Sequence, residues 1–276
     1  MHDPQTHGRE HRLRRRFARV GDATVVLLAL YVLTAYVALP QAWRHFEHHP
    51  VMVEAPKISY TVDGIPGDPL NLALVGSQDE VVAAMLAAGW HPADPTTLRS
   101  SLHIAESVVL KRTYETAPVS NLYVWGRKQD LAFELPVEEN ARQRHHVRYW
   151  RSSALGIGDR PLWIGAATFD RSVGISHLTG KITHHIAADI DAERDHVMAT
   201  LTHAGQLTET FQVTGVGGTL DGRNGGGDRY FTDGELTIGV LSPGNQVRRE
   251  PPKVLANPAG IQAKNDAMSR LRPLLK

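Results

Sequence analysis

The longest uniform stretch of the chain carries no charge. Residues 23–39 read ATVVLLALYVLTAYVAL, and extension to Trp43 gives the ~20 residues a tilted membrane helix needs. Its amides must pair internally in hydrocarbon, so a helix is expected. After a linker the apolar runs shorten. Residues 58–62 suggest a short strand and residues 70–75 a buried one. Ser77 then sits three residues before Glu80, the capping-box spacing. Val81, Met85 and Ala88 share one side of the helix that follows, and Gly89 stops it. Residues 91–95 read as a turn, and Thr96 or Thr97 caps a second helix to about Lys111. Strands are expected at 121–125, 131–137, 143–152, 161–170 and 181–186. A third helix starts at Asp189 or Asp191 and runs to His203. Strands at 208–216 and 230–241 flank the turn-rich residues 217–229, and residues 259–271 suit a loose surface helix.

Runs of strands, rather than strict alternation with helices, indicate an α+β fold. We expect a mostly antiparallel sheet with three main helices, preceded by one transmembrane helix. The organisation follows: a basic cytoplasmic tail (1–20), an anchor (21–43), a linker (44–56), the α+β domain (57–243) and a flexible C-terminal tail (244–276). Arg9, Arg12, Arg14, Arg15, Arg16 and Arg19 precede the apolar run, whereas Arg44 and Lys57 alone follow closely. This bias places the N-terminus in the cytoplasm and the domain outside. No small-x-small cleavage site follows the run, so it is read as an anchor and not a signal peptide.

Charge and composition narrow the function classes. A net charge of +1 over 276 residues gives no basic bias toward nucleic acid. The chain has no cysteine, which excludes disulfides, thiol catalysis and Cys-based zinc sites. It has 15 histidines, several of them outside the domain.

The densest chemistry lies between residues 142 and 195. His145-His146 and His184-His185 bracket the strand ending at Asp170. Neighbours in a strand face opposite ways. His146, Arg148 and Trp150 therefore share one face, and His145, Val147 and Tyr149 the other. At most one histidine of each pair can join a single site. Two His with one or two Asp suit zinc or another divalent cation, with His146, Asp170 and His184 as candidate donors; no HExxH or His-x-His spacing supports them. Arg127, Lys128, Arg142, Arg144 and Arg148 could instead converge with His146 on a phosphate or carboxylate. Asp191 and Asp195 share a helix face, as acid/base pairs do, although acids at a helix start ordinarily complement the dipole. The loop at 222–229, GRNGGGDR, could form an anion nest, but no Gly-Lys-Ser/Thr follows and a strand stands where a P-loop needs a helix.

Several segments together resemble the LssY C-terminal domain family: GDPLNLALVGS at 67–77, AAGWHPAD at 87–94, GRKQDLAF at 126–133, RHHVR at 144–148, GKITHH at 180–185, DAERD at 191–195 and GRNGGGDRY at 222–230. The likeness covers roughly residues 55–245. It implies a bacterial membrane-associated protein. Some members join this domain to a multi-span phosphatidic-acid-phosphatase-like domain. With one span, and neither Pro-Ser-Gly-His nor Lys-x6-Arg-Pro, lipid phosphatase activity is not carried over.

The expectation is a single-pass protein of the bacterial inner membrane with an extracytoplasmic binding or accessory domain. Its partners are the lipid bilayer, through residues 21–43, and a membrane or envelope protein; nucleic acid is not one. Candidate ligand-binding residues are Arg127, Arg144, His145, Arg148, His185, Asp228 and Arg229. The alternative is an envelope hydrolase of phosphate esters or glycans, with or without a metal, using His146, Asp170, His184 and Asp191. A third reading is a structural partner in a membrane complex.

Overall fold

In a computed structural model of the chain, residues 4–38, 56–93, 121–137, 140–176, 180, 182–214 and 221–275 are described. The chain divides into two compact units, residues 1–48 and 49–276. In the first, helix α1 spans Pro4–Leu33 and passes into a wider π turn at Thr34–Ala38. Its segment Arg19–Ala38, 20 residues, is long and apolar enough to cross a membrane once. None of that segment is buried within the protein. Residues 44–55 of the expected linker lie outside the described residues.

The second unit is α+β, as the strand pattern predicts. Its elements are β1 (Ile58–Tyr60), β2 (Pro66–Pro69), β3 (Leu72–Val75), α2 (Gln78–Ala87), β4 (His91–Pro92), β5 (Tyr123–Val124), β6 (Arg127–Lys128), β7 (Leu131–Val137), β8 (Asn140–Leu155), β9 (Pro161–Ile175), β10 (Ile182–Ile186), α3 (Ile190–His203), β11 (Leu207–Thr214), β12 (Asp221–Arg223), β13 (Arg229–Phe231), β14 (Glu235–Leu241), β15 (Lys253–Val254) and α4 (Ala259–Leu275). The main sheet runs β15-β11-β14-β3-β9-β8-β7-β4, with β10 paired to the far half of β9. A small sheet runs β2-β1-β5-β6, and β12 and β13 form a separate hairpin. Pairing is antiparallel except between β3 and β14 and between β11 and β15.

Alternation along β8 and β9 splits the core in two. Val147, Tyr149, Trp163 and Ala167 point to one face and pack with Val81 and Met85 of α2 and Val197 and Leu201 of α3. Trp150, Leu162, Ile164 and Ala166 point to the other and pack with Leu70, Leu122 and Val124 near the small sheet. Asn71, buried at the start of β3, ties these layers together. Its amide donates to the carbonyls of Ala167 and Ile190 and accepts the Ala167 N–H, all at 2.9 Å.

Local signals hold well. Ser77 and Glu80 form both halves of the capping box of α2, and Asp189 caps α3. Gly89 and Gly205 follow these helices with positive φ. Other expectations shift. His91–Pro92 is not a free turn, because it adds an edge strand to β7. The expected strand 230–241 divides into β13 and β14, because Asp233 and Gly234 turn the chain to serve Arg194. Residues 244–276, expected as a flexible tail, contribute β15 and α4, whose Ile261 is buried and whose Lys264 pairs with Glu235. The expected helix at 96–111 lies outside the described residues.

Removing the cap with Ser77→Ala lowers the unfolding free energy by about 1 kcal/mol. Asn71→Leu strips three buried hydrogen bonds and costs more, about 2–3 kcal/mol. Urea titration of the full chain in detergent measures both.

Candidate functional site

Along β8 the face shared with Trp150 changes character. Trp150 is core, but Arg148, His146 and Arg144 continue the row toward the other end, all buried. Across the sheet His146 stands opposite Glu134 on β7 and Thr168 on β9, and Arg144 opposite Asp170. A sheet face that runs from apolar to ionic must pair its charges, since an unpaired buried charge costs several kcal/mol.

Arg144 does most of that pairing. Its guanidinium donates to Glu134 at 3.0 Å, to Asp170 at 3.1 Å and to Nε2 of His184 at 3.0 Å. Arg148 donates to Asp68 at 2.8 Å. Asp68 is fixed by β1: the Ser59 hydroxyl accepts its N–H and donates to its carbonyl, at 2.9 and 2.8 Å. Gly67 permits this approach, because a Cβ there would stand 2.7 Å from the same hydroxyl.

A cleft of about 390 Å³ opens beside this network. Asp68, Arg148, Asp170 and His184 line it, with Tyr123 on one wall. Asn224, Gly225 and Gly226 of the β12–β13 loop form another. That loop fits closely, since a Cβ on Gly225 would lie 2.5 Å from the Pro66 carbonyl. Its base is Asp228, which accepts from Nδ1 of His185 at 2.9 Å and from the Ile186 N–H at 3.2 Å.

Electrostatics follow burial. Desolvation, then Arg148, Arg144 and His184, drive the pKa of His146 well below the ordinary 6.5. Desolvation also lowers His184, with Asp170 opposing and Arg144 and Arg148 assisting. Both rings are neutral near pH 7. Arginine only donates, so Nε2 of His184 is an acceptor and its proton sits on Nδ1, 3.5 Å from Asp170. Burial raises Asp68 and Glu134 above their usual ranges, against Arg148 and Arg144 respectively.

The residues singled out from sequence fall into separate places. Arg144, His146, Arg148, Asp170 and His184 come together. His145 faces the helix layer, where it bonds Glu193 at 2.8 Å and stacks on His196 with ring centroids 4.0 Å apart. His185 and Asp228 brace the loop. Asp191 is fully buried elsewhere, accepting from Thr232 and the Asp233 N–H beside Arg194, and burial lifts its pKa to about 6. Arg127 pairs with Asp130, and Arg229 with Asp221 on the surface. These two and Lys128 do not line the cleft, and the side chain of Arg142 lies outside the described residues. Among the described residues no group of three or more His, Asp or Glu side chains could hold a metal ion. The Arg144 guanidinium already lies between Glu134, Asp170 and His184.

Asp68 and Glu134 escaped the sequence reading. Glu134 is a lone acid in the apolar run LAFELPV, and that mismatch was the available signal; Asp68, between Gly67 and Pro69, has the look of a turn residue.

The LssY C-terminus family description matches residues 52–236, which take in every residue lining the cleft. The chain belongs to the LssY C-terminus family. No curated protein and no solved structure matches this LssY C-terminal chain.

The unfolded chain protonates His146 near pH 6.5 and the folded protein does so well below it. In that window the unfolded state binds the extra proton, so this residue lowers stability as pH falls from 7 toward 5. Asp191 acts oppositely: its folded pKa is raised, so its contribution falls as pH rises from about 4 to about 6. Subtraction isolates the histidine. Urea unfolding from pH 5 to 7 is expected to give a smaller acid loss for His146→Gln than for the parent.

Proposed function

We propose that this LssY C-terminal protein is a membrane-anchored binding module of the bacterial cell envelope. Residues 1–20 lie in the cytoplasm, residues 21–43 cross the inner membrane, and residues 57–243 act outside. The arginines before the span support this orientation. The binding reading is carried by the cleft in which Asp68, Arg148, Asp170 and His184 meet from separate strands. Stability alone would favour apolar filling there, because replacing a buried ion pair with packed hydrophobics is often neutral or stabilising. Arg144 and His146 support these side chains from within the sheet face.

Binding is favoured over hydrolysis by the one hydrogen bond that the His184 ring accepts, from Arg144. A general base needs a lone pair within reach of the proton it removes. Nε2 of His184 accepts from Arg144, and its Nδ1 carries the proton. Hydrolysis of an envelope phosphate ester or glycan is the second reading. One observation favours it: the buried Nε2 of His146 has no hydrogen-bond partner among the described residues.

Two measurements test this. The cysteine-free chain accepts single probes, so Val62→Cys is expected to react with a membrane-impermeant maleimide in intact cells, and Gln5→Cys only after permeabilisation. The reverse pattern sinks the orientation. A small-molecule extract of the envelope is expected to raise the thermal midpoint of the detergent-solubilised chain saturably, and Asp170→Asn to abolish the shift. Consumption of an extract component with time would select the hydrolase; an unmoved parent would remove the cleft as a ligand site.

A further inference from the structure

We infer that the cleft takes a neutral polyhydroxylated ligand, a sugar unit or sugar-like polyol, and not a phosphate or carboxylate. This rests on the binding reading above and names the ligand class.

Of the guanidiniums that made an anion attractive from sequence, that of Arg144 is fully engaged, and that of Arg148 gives Nη1 to a carboxylate. Arg144 serves Glu134, Asp170 and His184 with three different nitrogens, and Arg148 serves Asp68. At Arg144 an incoming oxyanion would have to displace a resident acceptor, and a displaced carboxylate would stay buried without its partner. The oxyanion would also approach Asp68 and Asp170 directly, with Asp228 close enough to act on Asp68.

A sugar hydroxyl both donates and accepts. The cleft matches that mixture. Carboxylate oxygens of Asp68 and Asp170 accept, while Ser176, Thr183, Asn121 and Asn224 around the walls work in both senses. Tyr123 supplies an aromatic surface for the C–H face of a ring. The volume, about 390 Å³, lies within the range of about 300–1,000 Å³ for small-molecule sites. The ionic pairs then act as a rigid frame that aims hydrogen-bonding atoms.

The test uses the full chain in a polyoxyethylene detergent, which has no sugar headgroup. Glucose, N-acetylglucosamine, maltose, inorganic phosphate and spermidine are titrated separately, read by saturation-transfer NMR and by thermal shift. At least one saccharide is expected to bind saturably. Tyr123→Ala, at the wall, is expected to weaken it about tenfold, and Asp170→Asn to abolish it, each with circular dichroism matching the parent. Should Asp170→Asn fail to fold, Tyr123→Ala and Asn224→Ala decide the matter. Phosphate or spermidine binding without a saccharide overturns the ligand class and leaves the binding reading standing. If no saccharide binds, the inference falls; if the envelope extract also leaves the parent unmoved, the binding reading falls with it.

Discussion

The guanidinium of Arg144 is the constraint on which the site face depends. It touches side chains from β7, β9 and β10 while itself belonging to β8. Without a cation at that point, Glu134 would be a buried acid with no compensating charge, and Asp170 would keep only the field of Arg148. Its planar fork fixes direction as well as charge, so it sets where Asp170 and His184 present their remaining atoms. The Arg148–Asp68 pair repeats the device four residues along the strand and fastens β2 of the small sheet to β8 of the large one.

The same strands do a second job on the reverse face. The helix layer receives Val147, Tyr149 and Ala167, which leaves the opposite alternation free to carry polar groups. His145 shows how strict this division is. One residue from His146, it packs between Glu193, His196 and Phe169 in the helix layer. Chemistry and packing are interleaved residue by residue.

That interleaving explains what could be read from the chain in advance. Capping boxes, helix-ending glycines and long apolar alternations are local, so α2, α3, β7, β8 and β9 were legible. The parity rule separated His146 from His145 correctly. The small sheet was only partly legible, because β5 and β6 are two residues each and owe their pairing to tertiary neighbours. Asp191 had the look of a dipole-stabilising acid at a helix start. Its burial with Arg194 and Asp233 depends on a turn some forty residues later. Asp68 and Glu134 were hidden for the same reason, since their partners come from distant strands. The resemblance in ordered motifs supplied the family but not the contacts within it.

The position of β3 has a consequence for how the chain is made. This strand lies inside the main sheet, yet its neighbours are residues 162–165 on one side and 237–240 on the other. As synthesis proceeds from the N-terminus, both edges of an apolar strand wait unpaired until most of the domain has emerged. Sheet closure is therefore a late, non-local event, and slow by its topology. In that interval the nascent domain needs protection from aggregation, whether by a chaperone or by dilution at a surface, well before it needs a ligand.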